Sequence, residues 1–154
     1  MFSLQGKNVF VVGGTAGLGL AVAQSYVESG ARVVISGRRN AATLAEKIRA
    51  QSVQGDVADE QSVIDAFARV NDLLGKLDVL VNNVGIYRGN TLDKVSVDDQ
   101  QFHLDVNINS VFWGLKHGPR HMNDGGSIIN TSSTLVYRSL PGVGSYTAAK
   151  AAIT

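Results

Sequence analysis

The chain has 154 residues, 44% of them hydrophobic and 18% charged, ordinary values for one globular domain with its own core. A formal net charge of +1, with basic residues scattered in ones and twos, gives no electrostatic footprint for nucleic acid or an anionic membrane surface. The lack of cysteine removes disulfides, thiolate catalysis and Cys-ligated zinc, and agrees with a reducing, cytoplasmic setting.

The opening "MFSLQGKNVFVVGG" reads as the start of a strand rather than a basic leader with an apolar stretch and a cleavage site. "NVFVVG" is the first strand, followed by a glycine turn and a helix from Leu18 to Ser29 that Gly30 stops. "RVVIS" is the second strand, and "NAATLAEKIRA" is an amphipathic helix with Asn40 placed to cap it. "SVQGDV" offers a short third strand. In "DEQSVIDAFARVNDLLG", Val63, Ile64, Phe67, Val70, Leu73 and Leu74 recur at three- and four-residue spacing, so one helix face rests on a sheet.

"LDVLVNN" is an apolar run with a polar end, as expected of a buried parallel strand whose C-terminal edge faces a crevice. "VSVDDQQFHLDVNINSVFWGLKHGPRHM" predicts one long helix with a soft spot at Gly118 and Pro119, "GSIINTSS" a fifth strand, and the segment from about Ser145 another helix. This alternation predicts an α/β fold: a doubly wound parallel sheet of Rossmann type with helices on both faces, spanning residues 1–154 as one domain. No run approaches the ~18 consecutive apolar residues of a membrane-spanning helix.

"GGTAGLG", from Gly13 to Gly19, sits between a strand and a helix. There, glycines permit a tight turn and bring bare backbone amides to a pyrophosphate at a helix N-terminus. The spacing of Gly13, Gly17 and Gly19 is G-x-x-x-G-x-G instead of G-x-G-x-x-G. The second strand ends in "SGRR", with Arg38 and Arg39 and no acid. A carboxylate there would serve a ribose 2′-hydroxyl, whereas a guanidinium clamps a 2′-phosphate, so NADP(H) is favoured over NAD(H).

Taken with "GDV" from Gly55, "NNVG" from Asn82, "DVN" from Asp105, and "NTSS" followed by "YTAAK", the pattern resembles the short-chain dehydrogenase/reductase family along nearly the whole chain. The resemblance implies a hydride transfer between NADP(H) and a small carbonyl or secondary alcohol, with Asn107, Ser133, Tyr146 and Lys150 as catalytic tetrad. Ser132 competes with Ser133, which is preferred because its separation from Tyr146 is similar to the family's. The cofactor would meet Gly13, Thr15, Ala16, Gly17, Leu18 and Gly19 in the turn, Arg38 and Arg39, Asp56 and Val57 at the adenine, Asn83 and Gly85 towards the nicotinamide, and Tyr146 and Lys150 themselves. Val12 stands where the family usually has threonine, and Val84 where it has alanine.

The Tyr146 to Lys150 spacing has a physical reading beside the resemblance. Residues four apart share one helix face, and an ammonium close to a phenol favours the phenolate that proton transfer to an alkoxide leaves behind. Ser133 would hold the substrate oxygen, and Asn107, by resemblance, a water linking Lys150 to solvent.

His117 and His121 lack a third ligand at matching spacing, so no metal is expected. Asp98 and Asp99 read as partners of a helix dipole, and Phe102, Phe112 and Trp113 as core or subunit-contact residues. By resemblance the family continues for about another hundred residues and forms homodimers or homotetramers, so the chain is expected to be the N-terminal part of a longer protein. A non-catalytic dinucleotide-binding or interaction module is the alternative, and an NAD(H)-preferring dehydrogenase a further one.

Overall fold

The computed structural model describes residues 3–154. Five parallel strands form one sheet in the order β3-β2-β1-β4-β5: β1 Asn8–Val12, β2 Arg32–Gly37, β3 Gln51–Gln54, β4 Leu77–Asn82 and β5 Met122–Asn130. Helices α1 Gly17–Glu28, α2 Ala42–Lys47, α3 Glu60–Leu74, α4 Val97–Leu104, α5 Ser110–His117 and α6 Gly144–Ala151 complete it. The chain steps outward from β1 to β3, then returns past β1 to lay down β4 and β5. That reversal puts a switch point between the C-terminal ends of β1 and β4, where an open α/β sheet leaves a crevice.

Strand periodicity separates two cores. Phe10, Val12, Val34 and Val53 face α3, where Phe67, Val70 and Leu74 cover them. Val9, Val11, Val33 and Ile35 face the other way, against Ala23 of α1 and Ala45 of α2. Side chains alternating at period two on strands buried on both faces require this arrangement. Phe10 and Phe67 meet edge to face with centroids 5.5 Å apart, a contact worth about 0.5–1.5 kcal/mol beyond its buried area. Helix α3 starts where the Asp59 carboxylate accepts from Ser62 N at 2.8 Å, and ends at Gly75, whose φ of 79° few other residues adopt.

Several elements depart from their sequence expectation. α2 is only six residues long, because Arg49 takes φ 60° and turns the chain into β3. Asn40 is not its cap residue; that position is Ala41, and Asn40 Oδ1 accepts from Ala42 N at 2.9 Å from one residue further out. β3 closes at Gln54, before Asp56 and Val57. The long helix expected over residues 95–122 is four pieces: α4, a π-helical turn Asp105–Asn109, α5, and a 3-10 turn Gly118–His121 at the soft spot. β5 begins at Met122 and is irregular where its register on β4 jumps from Leu77↔Met122 to Val79↔Ser127.

No helix among the described residues is long and apolar enough to cross a membrane. Asp59→Ala should lower the stability of the fold by about 1 kcal/mol in chemical denaturation, with the m-value unchanged, because a single cap is lost and the buried surface is not.

Candidate functional site at the switch point

The turn after β1 is shaped by what cannot fit in it. Gly13 has φ +78° and Gly17 φ +52°, and a Cβ on Gly19 would collide with the Gly13 carbonyl oxygen. The amides of Gly13 and Gly14 both donate to Ser36 O at 3.1 Å, fixing the turn to the end of β2. Helix α1 begins here with no side chain capping its first turn, so its N-terminal amides and the positive end of its dipole face the crevice. Asn83 Nδ2 donates to Gly13 O at 3.4 Å, and Thr131 Oγ1 to Asn83 Oδ1 at 3.3 Å, so β1, β4 and β5 are linked across the crevice floor.

From the turn a groove runs over the C-terminal end of β2. Gly13, Thr15, Gly37, Arg38, Asp56 and Val57 line it together. Arg38 and Arg39 also border the basin in front of α2, with Lys47 at its far side. No ion pair among the described residues engages Arg38, Arg39 or Lys47. The groove thus presents uncompensated cations where a second-strand carboxylate would otherwise stand.

On the other side of the turn lie Lys150, Asn107, Tyr146 and Ser133. Lys150, in α6, is 2% exposed; its Nζ donates to Thr131 O at 2.9 Å and Val84 O at 3.3 Å, the loops leaving β5 and β4. Burial holds its pKa below the usual lysine range. A Cβ on Gly85 would sit 3.0 Å from Lys150 Nζ and 3.4 Å from Asn107 Oδ1, so both groups crowd over a position that only glycine leaves open. Asn107, fully buried in the π-helical turn, accepts from Ile86 N at 2.8 Å and donates to Ile86 O at 3.0 Å. The turn's extra residue displaces the helix at this amide; π turns often mark functional sites.

Tyr146 lies one turn before Lys150 on α6, with its ring edge-to-face against Tyr87. Ser133 is three residues beyond β5 rather than at its end, where it caps a 3-10 turn Thr134–Val136 by accepting from Leu135 N at 3.2 Å. Ser132 is engaged elsewhere: its hydroxyl meets Lys150 O at 3.2 Å and Thr154 Oγ1 at 2.6 Å. The serine whose hydroxyl proton is not committed within the fold is therefore Ser133.

Comparison with known proteins agrees with this fold. Residues 7–154 match the family model described as short chain dehydrogenase. The chain belongs to the short-chain dehydrogenase family. This short-chain dehydrogenase chain is 36% identical to a gluconate 5-dehydrogenase of Gluconobacter oxydans over 99% of its length, and 35% identical to an NADP-dependent (R)-specific alcohol dehydrogenase of Lentilactobacillus kefiri over 97%. It spans 63% of the length of each. A short chain dehydrogenase from Burkholderia cenocepacia, solved in complex with NADP, superimposes with a TM-score of 0.91 at 37% identity, over 97% of this chain and 65% of that one.

Within the short-chain dehydrogenase fold, other residues set the site without a motif to announce them. Thr131 and Val84 act through backbone carbonyls, which any residue carries. Phe102 borders the groove with Ile86 and Val106, and the Arg88 guanidinium stacks over its ring at 3.8 Å. Val84 fills the space beside Gly13: a Cβ on that glycine would meet its Cγ2 at 2.7 Å. His117 Nε2 donates to Glu60 Oε1 at 2.8 Å, and His121 stacks on Phe67. Asp99, in the first turn of α4, accepts from Arg88 and then from Ser96, and these bonds hold its carboxyl below the usual range.

The depressed pKa of Lys150 has a definite sign in stability. Below its folded value the charged amine weakens the fold, and between that value and the ordinary lysine range of ~10.4 the unfolded chain binds the extra proton, so stability rises with pH. Denaturation profiles from neutral to alkaline pH should show this rising component in the parent protein and lack it in Lys150→Met.

Proposed function

We propose that this chain is the cofactor-binding and proton-transfer part of an NADP(H)-dependent oxidoreductase that interconverts a carbonyl and a secondary alcohol. The observation that carries the reading is the buried Lys150 ammonium, held by two loop carbonyls beside Asn107 and one helical turn from Tyr146, next to a glycine cradle with a free helix N-terminus. The cradle fits a dinucleotide: at Gly17 nothing stands within 4 Å of where a Cβ would be, so the turn is open there, and the uncapped amides suit a pyrophosphate. Arg38 and Arg39 suit a 2′-phosphate, and Asp56 and Val57 border the space for adenine. Asn83 and Gly85 lie toward the nicotinamide end.

When bound, the cofactor supplies or takes up the hydride. The chain's own residues manage the oxygen. In reduction the Tyr146 phenol passes its proton to the developing alkoxide, and in oxidation it takes that proton back. Lys150 stabilises the resulting phenolate through its charge, while its bonds to Thr131 O and Val84 O keep the amine from swinging away. Ser133 donates to the same substrate oxygen and orients it. Asn107 spends its amide on Ile86, so its part is to hold the loop after β4 against Lys150.

The exposed Phe112 and Leu115 on α5 suit contact with a second copy, supporting a homodimer or homotetramer. A binding-only dinucleotide module is the second reading, since the glycine turn and the uncapped start of α1 would serve cofactor binding by themselves.

Tyr146→Phe in the complete protein should cut carbonyl reduction by about 10²–10⁴-fold while leaving NADPH affinity nearly intact. Undiminished turnover would remove Tyr146 from the mechanism, and NADPH binding without reduction of any carbonyl in a broad panel would favour the binding module. Arg38→Asp should weaken NADPH by about ten- to a hundredfold, the loss of one charge-assisted contact, and NADH far less. Equal effects on both cofactors in fluorescence titrations would point to NAD(H).

A further inference from the structure

Tyr87 stands outside the four residues of the proton-transfer set, yet it is held with unusual care. Its ring meets that of Tyr146 edge to face, with centroids 6.0 Å apart and planes at 77°. Asn107 binds both backbone groups of Ile86 on one side of it. On the other side Arg88 N donates to His103 Nε2 at 3.2 Å; His103 is 1% exposed and its Nδ1 lies 2.8 Å from Asp99 O. That pairing assigns the proton to Nδ1, so a buried imidazole serves as a fixed backbone acceptor.

The phenol end is fixed as well. Tyr87 Oη donates to Gly142 O at 3.4 Å, and Asn90 N donates to the same carbonyl at 3.1 Å, with Gly142 at φ +81°. A Cβ on Gly89 would collide with the Tyr87 hydroxyl, so glycine lets the phenol lie over its own backbone. Despite these restraints Tyr87 is 55% exposed. A ring braced along its backbone and at its tip, and resting on Tyr146 without being buried, is not accounted for by core packing.

We propose that Tyr87 is a positioning residue that fixes the direction of the Tyr146 phenol towards the substrate oxygen. The inference rests on the reading of Tyr146 as proton donor. Among the described residues no hydrogen bond orients the Tyr146 ring, and its edge-to-face contact with Tyr87 supplies what α6 cannot make for itself. Gly89 makes room for this brace, Gly142 supplies the carbonyl at its tip, and Asn107 and His103 anchor it.

In the complete protein, Tyr87→Ala should lower kcat by about tenfold with NADPH affinity unchanged, while Tyr87→Phe, which keeps the ring, stays within about threefold of the parent. Gly89→Ala, which pushes the ring aside without deleting it, should fall between them. A kcat for Tyr87→Ala within about twofold of the parent, or Tyr87→Phe as impaired as Tyr87→Ala, would overturn the proposal. A second readout needs no turnover: in spectra of protein carrying ¹³C-labelled tyrosine rings, the Tyr146 signals should move and average in Tyr87→Ala and keep their parental positions in Tyr87→Phe. Unmoved signals in Tyr87→Ala would overturn it too. A parent protein inactive on every carbonyl tested would count against the oxidoreductase reading, and the ring spectra would then decide Tyr87 alone.

Discussion

The site is organised by one buried charge. Lys150 is almost sealed from water, and its ammonium finds two backbone carbonyls, at Val84 and Thr131, in place of a carboxylate partner. A cation placed so is costly unless its hydrogen bonds are met, and the lowered pKa records that cost. The consequence is architectural: the loop after β4, the loop after β5 and α6 must all arrive at one point for the amine to be satisfied. The parallel sheet does this because β4 and β5 are in register at Asn82↔Asn130, so their exits lie side by side.

The glycine side of the crevice is governed by absence of atoms rather than by charge pairing. The β1 turn can close only if positions 13 and 19 lack side chains, and Asn83 and Ser36 then tie it to the neighbouring strands. The two halves share the crevice floor, since Asn83 touches the turn on one side and Thr131, whose carbonyl serves Lys150, on the other.

Much of this was legible in the sequence because it rests on periodicity and on residue types that few positions tolerate. Strand alternation in "NVFVV", the three-and-four spacing of α3 and the four-residue step from Tyr146 to Lys150 each impose a geometry directly. The π-helical turn was not legible: the apolar pattern runs on from α4 into α5, and one inserted residue leaves no mark in it. Nor was the short α2, whose end is set by a left-handed arginine that carries no such preference. Ser133 is preferred to Ser132 by its separation from Tyr146, but its place beyond the strand depends on where the β4 pairing stops. Tyr87, an exposed aromatic in a glycine-containing loop, matches no spacing rule and emerges only when two loops meet.

The double bond between Asn107 and Ile86 has a consequence for what this position can become. The side chain must offer a donor and an acceptor at the same reach, because it faces an amide proton and a carbonyl oxygen of one residue. Aspartate has the same shape, yet as a carboxylate it would satisfy Ile86 N and point a second negative oxygen at Ile86 O. Serine could reach neither partner from a fully buried Cβ. The position therefore excludes its nearest isostere on grounds of polarity alone, and a single atom exchanged for another of equal size would unfasten the loop that Lys150 and Tyr87 both depend on.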